Sequence, residues 1–152
     1  MPIAADLYYH LYERGEGDQK PVVLIHGAGG THLHWPPEVR RLPGLRVYAI
    51  DLPGHGKSGG RGQQSVQAYT GHILDWLEEV GLYRAVMVGH SLGGAIAIDL
   101  ALHHTEHVLA LGLVGSGARL RVHPTILEGT ASSTTFPVAV EKIVSWAFSE
   151  GA

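Results

Sequence analysis

The sequence predicts an α/β domain in which helices cover both faces of a mostly parallel β-sheet. The chain has 152 residues, and 45% of them are hydrophobic, which is enough for one compact core. Short continuous apolar runs, such as 21–26 and 108–114, are typical of strands buried within a parallel sheet. Helical patterns alternate with these runs, and such alternation indicates parallel strands joined by right-handed crossovers.

The elements follow one another with short connections. Strands are predicted, in chain order, at 7–12, 21–26, 45–51, 84–89 and 108–114. Helices are predicted at 35–42, 65–80, 92–102 and 137–148. Ser65 is a suitable N-cap for the second helix, Gly81 follows its end, and Val66, Tyr69, Ile73, Leu77 and Val80 form its apolar face. The third helix is apolar almost all round except at Asp99, which indicates a deeply packed helix.

Charge and cysteine content exclude several classes of function. Eleven basic and 14 acidic residues give a net charge of −3, so we expect neither a nucleic-acid nor a membrane partner. The absence of cysteine excludes disulfides, a thiolate nucleophile and Cys-ligated metals. The first 20 residues lack the basic and apolar regions of a signal peptide, so the expected location is cytoplasmic.

The motif that carries chemistry is G-x-S-x-G, which reads Gly89-His90-Ser91-Leu92-Gly93. It lies between a predicted strand and a predicted helix, and this context makes the signal specific. Only glycines fit on either side of so sharp a turn, which lifts the serine hydroxyl above the carboxyl edge of the sheet. The helix N-terminus supplies free N–H groups that suit a developing oxyanion.

With this motif the chain resembles the α/β-hydrolase family. His26-Gly27-Ala28-Gly29-Gly30 is similar to the family's oxyanion loop, and 51–58 (DLPGHGKS) is similar to its D-x-P-G-x-G-x-S loop. The resemblance implies that Ser91 is the nucleophile and that the backbone N–H groups of Ala28 and Leu92 form the oxyanion hole. A serine at this position favours acyl chemistry on small carboxylic esters or related substrates, without a cofactor or metal.

The family's Asp and His are not found after the fourth buried strand, where 115–118 reads GSGA. A serine hydroxyl needs such a base and an acid that orients it. Residues 1–118 therefore match the N-terminal part of the core, and 119–152 match the start of a lid. We expect a complementary C-terminal fragment or second chain to supply Asp and His and to cover strand 108–114, although His123 stays open as an in-chain base.

Four further residues are predicted to bind substrate, and one alternative function is kept beside the hydrolase. The resemblance suggests His26, Gly27, Trp146 and Phe148 as substrate-binding residues. A non-catalytic binding or assembly module with the same fold is the alternative function.

The stretch 103–107 (HHTEH) formally matches a zinc-protease signature, but a solvated helix end explains it better. The sequence 54–58 (GHGKS) resembles the end of a P-loop but lacks the preceding glycine, since Asp51 stands there.

Overall fold

The computed structural model describes residues 2–13, 19–117, 123–130, 132 and 134–147. Contacts divide the chain into two compact units, residues 1–119 and 120–152. The first unit holds a six-stranded sheet of β1 (Ile3–Ala4), β2 (Leu7–Glu13), β3 (Lys20–Ile25), β4 (Leu45–Ile50), β5 (Ala85–His90) and β6 (Val108–Val114).

The sheet has the spatial order β1-β2-β4-β3-β5-β6. Strands β3, β4, β5 and β6 pair in parallel, whereas β2 pairs antiparallel with β1 and β4. The predicted mostly parallel sheet is therefore confirmed. Strand β1 was not predicted, because two residues are too few to show an alternating pattern.

Helices of the first unit are α1 (Pro37–Arg40), α2 (Val66–Glu79) and α3 (Leu92–His103), with short 3-10 turns at His32–His34 and Thr105–His107. The second unit contains α4 (Pro124–Thr130) and α5 (Phe136–Ala147). Helix α1 is a single turn, shorter than the predicted 35–42, and α4 was not predicted. Within the described ranges, no helix is both long and apolar enough to cross a bilayer.

Alternate residues of each central strand pack on opposite faces of the sheet. On one face, the apolar strand residues pack against α2 and α3 in a core that includes Val23, Ile25, Tyr48, Ile50, Met87, Ile73, Trp76, Leu77, Ile96 and Leu100. On the other face, Val22, Leu24, Val47 and Ala49 pack with Trp35 and Val39. The predicted helices on both faces are therefore confirmed. Burial of each large apolar side chain stabilises the folded state by roughly 1.5–3 kcal/mol relative to its exposure.

A buried carboxylate joins α2 to α3. The side chain of Asp99 is 9% exposed. The hydroxyl of Thr70 on α2 donates a hydrogen bond of 2.7 Å to Asp99 Oδ2. His103, one turn further along α3, places its Nδ1 3.1 Å from Asp99 Oδ1. The single acidic residue within this apolar helix therefore holds the helix that follows Ser91 against its neighbour.

A buried histidine joins the loops that follow β3 and β4 at the carboxyl edge of the sheet. His26 is fully buried, and its Nε2 accepts a hydrogen bond of 3.0 Å from the N–H of Leu52. Its Nδ1 then carries the proton and donates to the carbonyl of Gly27 at 2.7 Å. Burial lowers the pKa of His26 to about 4, so the ring is neutral near pH 7.

Asp51 organises the loop after β4 in the same buried layer. Its Oδ1 accepts hydrogen bonds from the backbone N–H and from Nδ1 of His32, at 2.6 and 2.9 Å. Its Oδ2 accepts from the N–H of Lys57 at 2.9 Å, and its backbone carbonyl accepts from the Ser58 hydroxyl at 2.5 Å. With these bonds, the fully buried Asp51 carboxylate is a structural group.

The lowered pKa of His26 predicts acid destabilisation. In the unfolded chain His26 binds a proton near pH 6.5, whereas in the folded chain it does so only near pH 4. The contribution of neutral His26 to the stability of the fold is therefore complete above pH 6.5. It is lost as the pH falls from 6.5 to 4, because the unfolded chain binds the proton first. Between pH 7 and 4.5 this one group removes about 2–3 kcal/mol from the free energy of unfolding. Urea unfolding at the two pH values should show a smaller acid loss in His26→Gln, and equal losses would contradict the prediction.

Replacing Thr70 with valine tests the link between α2 and α3. The change keeps the shape of the side chain but leaves the buried Asp99 without its hydroxyl donor. We expect the free energy of unfolding to fall by about 1–3 kcal/mol. Thr105→Val is the matched control, because the Thr105 hydroxyl is exposed and bonds only to the carbonyl of Ala101. In urea denaturation, the free energy of unfolding of that control should stay within about 0.5 kcal/mol of the parent chain. Equal losses in Thr70→Val and Thr105→Val would refute the link.

Candidate active site

Ser91 lies at the turn between β5 and α3 in a strained backbone conformation. Its φ of 50° and ψ of −113° lie in a region that residues with a side chain rarely adopt. A Cβ atom on Gly89 would collide with the carbonyl of Gly93, and one on Gly93 would collide with the carbonyl oxygen of Ile25. This is the sharp strand-to-helix turn that the G-x-S-x-G spacing predicts.

The loop after β6 holds this turn from the neighbouring strand. The backbone N–H of Ser91 donates to the carbonyl of Val114 at 3.0 Å. The hydroxyl of Ser116 donates to the carbonyl of Ser91 at 2.6 Å. This support by Ser116 was not predicted, because 115–118 was interpreted only as a stretch without a carboxylate. The available signal was a serine two residues after the end of β6, the strand next to β5.

Two backbone N–H groups near Ser91 are free to bind an oxygen atom. A Cβ atom on Gly27 would lie 3.2 Å from the Cβ of Ser91, so the loop after β3 contacts the turn. Ala28 is the next residue of that loop and is exposed. Leu92 begins α3, where an N–H has no partner within the helix. None of the hydrogen bonds among the described residues uses the N–H of Ala28 or of Leu92.

A cavity of about 210 Å³ lies at the same edge of the first unit. Its wall consists of His26, His34, Trp35, Pro36, His90 and Val114. His26, a predicted substrate-binding residue, is thus in the wall, and the predicted Gly27 follows it in the chain. His34 was not predicted as a substrate-binding residue, because a residue in a short 3-10 turn shows no periodic pattern in the sequence.

The remaining predicted residues lie in the second unit or outside the described ranges. Trp146 belongs to α5, and Phe148 is outside the described residues. Their role in substrate binding stays a prediction. His123 also belongs to the second unit, where its Nδ1 accepts from the N–H of Thr125 at 3.3 Å.

The part of the chain that the structure describes places no base against Ser91. The Ser91 hydroxyl makes no hydrogen bond to another described residue. The carboxylate of Asp51 is fully used by His32 and Lys57, and Asp99 lies about 12 Å along α3 from Ser91. Among the described side chains, no group of three or more His, Asp or Glu is placed to hold a metal ion.

Comparison with known sequences identifies relatives over most of the chain. A pimeloyl-[acyl-carrier protein] methyl ester esterase from Vibrio vulnificus is 32% identical over 145 residues, which cover 89% of this chain and 55% of the esterase. The dihydrolipoyllysine-residue acetyltransferase component of the acetoin cleaving system from Cupriavidus necator is 36% identical, and the match covers 68% of this chain and 28% of that protein. The chain thus spans about half or less of these relatives' lengths.

Solved structures agree with these sequence matches. The enol-lactonase from Burkholderia xenovorans has a TM-score of 0.79 at 25% identity, with 91% of this chain and 55% of that chain covered. The N-acyl homoserine lactonase AidH has a TM-score of 0.65 at 26% identity, with coverages of 81% and 48%. A family model described as alpha/beta hydrolase fold matches residues 20–148. The chain therefore belongs to the α/β-hydrolase family.

Proposed function

We propose that the chain carries the nucleophilic half of a serine hydrolase that cleaves small carboxylic esters or lactones. The observation that carries this proposal is the strained turn at Ser91, and the N–H groups of Ala28 and Leu92, which have no hydrogen-bond partner among the described residues, support it. The Ser91 Oγ attacks the carbonyl carbon, and the electron pair of the C=O bond moves onto its oxygen. The N–H groups of Ala28 and Leu92 stabilise this oxyanion. A base from outside the described residues takes the proton of the Ser91 hydroxyl and passes it to the leaving oxygen, as the C=O bond re-forms and the ester C–O bond breaks. Water then adds to the carbonyl carbon of the acyl-serine, the proton that the water loses goes to Ser91 Oγ as that C–O bond breaks, and the carboxylic acid is released.

The relatives support acyl–oxygen chemistry. Their names include a methyl ester esterase, an enol-lactonase and an N-acyl homoserine lactonase. Esters and lactones share the carbonyl carbon that a serine attacks and an oxygen leaving group. The steps above need no cofactor, since the protein supplies the nucleophile and the hydrogen-bond donors.

We further propose that the triad Asp and His come from a polypeptide segment outside this chain. The absence of a base bonded to Ser91 among the described residues supports this arrangement. Strand β6 also supports it. Leu109, Leu111 and Leu113 of β6 are each about 40% exposed, and among the described strands only β5 pairs with it. An open apolar strand edge favours pairing with another segment.

The same missing base favours one alternative, a binding or assembly module that retains the fold without the chemistry. The two functions differ in whether Ser91 reacts. An enzyme part needs a nucleophilic hydroxyl next to the oxyanion donors, whereas a binding module needs only the cavity.

Reaction of Ser91 with an activated ester tests the proposal on the 152-residue chain. We expect p-nitrophenyl acetate hydrolysis that exceeds the uncatalysed rate by about 10³–10⁴-fold. This is the rate enhancement that remains from oxyanion stabilisation and binding when a triad member is missing. Added imidazole should raise this rate, because it can accept the Ser91 proton. The measurement is the absorbance of p-nitrophenolate, with Ser91→Ala at each imidazole concentration as the matched control.

Two results would count against the proposal. An imidazole-dependent increase in rate that is no larger in the parent chain than in Ser91→Ala, together with no fluorophosphonate adduct on Ser91 by mass spectrometry in the presence of imidazole, would favour the binding module. Fast, Ser91-dependent turnover without imidazole would refute the external Asp and His and indicate a base within this chain.

Substitution of Gly93 tests whether the turn itself makes Ser91 reactive. Gly93→Ala places a Cβ against the carbonyl oxygens of Ile25 and His26, so the turn must shift. We expect a loss of about 1–3 kcal/mol in the free energy of unfolding and slower fluorophosphonate labelling of Ser91. Gly71→Ala is the matched control, since position 71 lies within α2 with open space around it. This change should raise the free energy of unfolding by about 0.5–1 kcal/mol. Labelling that is equally fast in both variants would contradict this role of the turn.

A further inference from the structure

The cavity beside Ser91 has an unusual wall, because three of its six residues are histidines. His26, His34 and His90 supply imidazoles, whereas Trp35, Pro36 and Val114 are apolar. Binding cavities are usually apolar with a few polar groups that fix the orientation of the ligand. The question is therefore which of the three rings is available to a ligand.

His26 is not available. Both of its ring nitrogens are used, one by the N–H of Leu52 and the other by the carbonyl of Gly27. Its burial also keeps the ring neutral, with a pKa lowered to about 4. His26 therefore shapes the cavity without offering it a free donor.

His34 and His90 are available. Both residues are exposed, and neither ring makes a hydrogen bond to another described residue. The two residues line the same cavity from different elements, the 3-10 turn before α1 and the end of β5. A neutral imidazole offers one N–H donor and one acceptor.

Both rings are also confined by glycine positions. A Cβ atom on Gly27 would lie 2.8 Å from Nδ1 of His90, and one on Gly115 would lie 3.5 Å from its Nε2. A Cβ atom on Gly30 would lie 2.9 Å from Nδ1 of His34. Side chains at Gly27 and Gly30 would displace the imidazoles, whereas one at Gly115 would be in ordinary contact with the His90 ring. The glycines thus leave room for the rings against the loops after β3 and β6.

From this arrangement we infer that His34 and His90 form a polar subsite that selects esters or lactones carrying a second oxygen acceptor near the scissile carbonyl. The inference rests on the proposed function, because it names the substrate class of the same site. A Cβ atom on Gly27 would lie 2.8 Å from Nδ1 of His90 and 3.2 Å from Cβ of Ser91, so these two side-chain atoms are at most about 6 Å apart. The second oxygen must therefore lie only a few bonds from the reacting carbonyl. Trp35, Pro36 and Val114 provide an apolar wall for the hydrocarbon between the two oxygen groups.

The test is a binding comparison between two esters that differ by one carbonyl group, methyl 4-oxopentanoate and methyl pentanoate. Binding is measured by NMR on the chain with Ser91→Ala, through the imidazole C–H signals of His34 and His90. We expect the oxo ester to bind about three- to tenfold more tightly, the range for one net hydrogen bond. Monomethyl butanedioate tests a carboxylate as the acceptor in the same way.

Variants of the two histidines assign the preference. His90→Phe and His34→Phe should each reduce the ratio of the two affinities towards one, whereas His90→Gln should retain part of it through its amide. His104→Phe is the matched control, because His104 ends α3 about 20 Å along the helix from Ser91. It should leave the ratio unchanged.

The outcomes separate this inference from the proposed function. Equal binding of all three esters, or a preference that survives both phenylalanine changes at His34 and His90, overturns the subsite. Binding in Ser91→Ala requires no acyl transfer, so a parent chain without Ser91-dependent hydrolysis refutes the enzymatic proposal without changing the measured preference.

Discussion

The left-handed backbone at Ser91 is the constraint on which the rest of the structure depends. A residue with a side chain adopts φ of 50° only when its surroundings fix it there. Gly89 and Gly93 leave the space for the turn, while Val114 and Ser116 hold the backbone of Ser91 by hydrogen bonds. Strand β5 and helix α3 are both buried in the same core, so the turn between them cannot relax without disturbing the sheet.

Two buried polar groups hold the loops around this turn, and both resemble catalytic groups by residue type alone. His26 and Asp51 are an imidazole and a carboxylate at the carboxyl edge of the sheet. Their hydrogen bonds go to the backbone of the loops after β3 and β4 and to the His32 ring. A buried polar group without such partners destabilises the fold, which explains why these two are fully bonded. Their bonding leaves His34 and His90 as the imidazoles that a ligand can reach.

The strands and the turn at Ser91 could be predicted because their signals are local in the sequence. Apolar runs mark β3 to β6, and glycine spacing marks the turn, since each depends on a few adjacent residues. The contacts that assemble the site are not local. Ser116 supports Ser91 from 25 residues away, Thr70 bonds Asp99 across two helices, and His34 enters the cavity from an irregular loop. Hydrogen bonds between distant side chains leave no periodic pattern, so the sequence alone could not indicate them.

The distribution of the candidate site along the chain follows from the kinds of group it uses. Ser91 and the N–H groups of Ala28 and Leu92 depend on backbone conformation at the ends of two adjacent strands, β3 and β5. Such groups need the sheet and its core, both of which lie within residues 1–119. A base and its orienting acid act through side chains, which any segment packed beside the turn could present. Among the described strands, β6 ends the sheet next to β5, and our proposal places the further segment with such side chains at this edge. A nucleophile prepared within one sheet and a base supplied from its open edge are therefore compatible parts of one site.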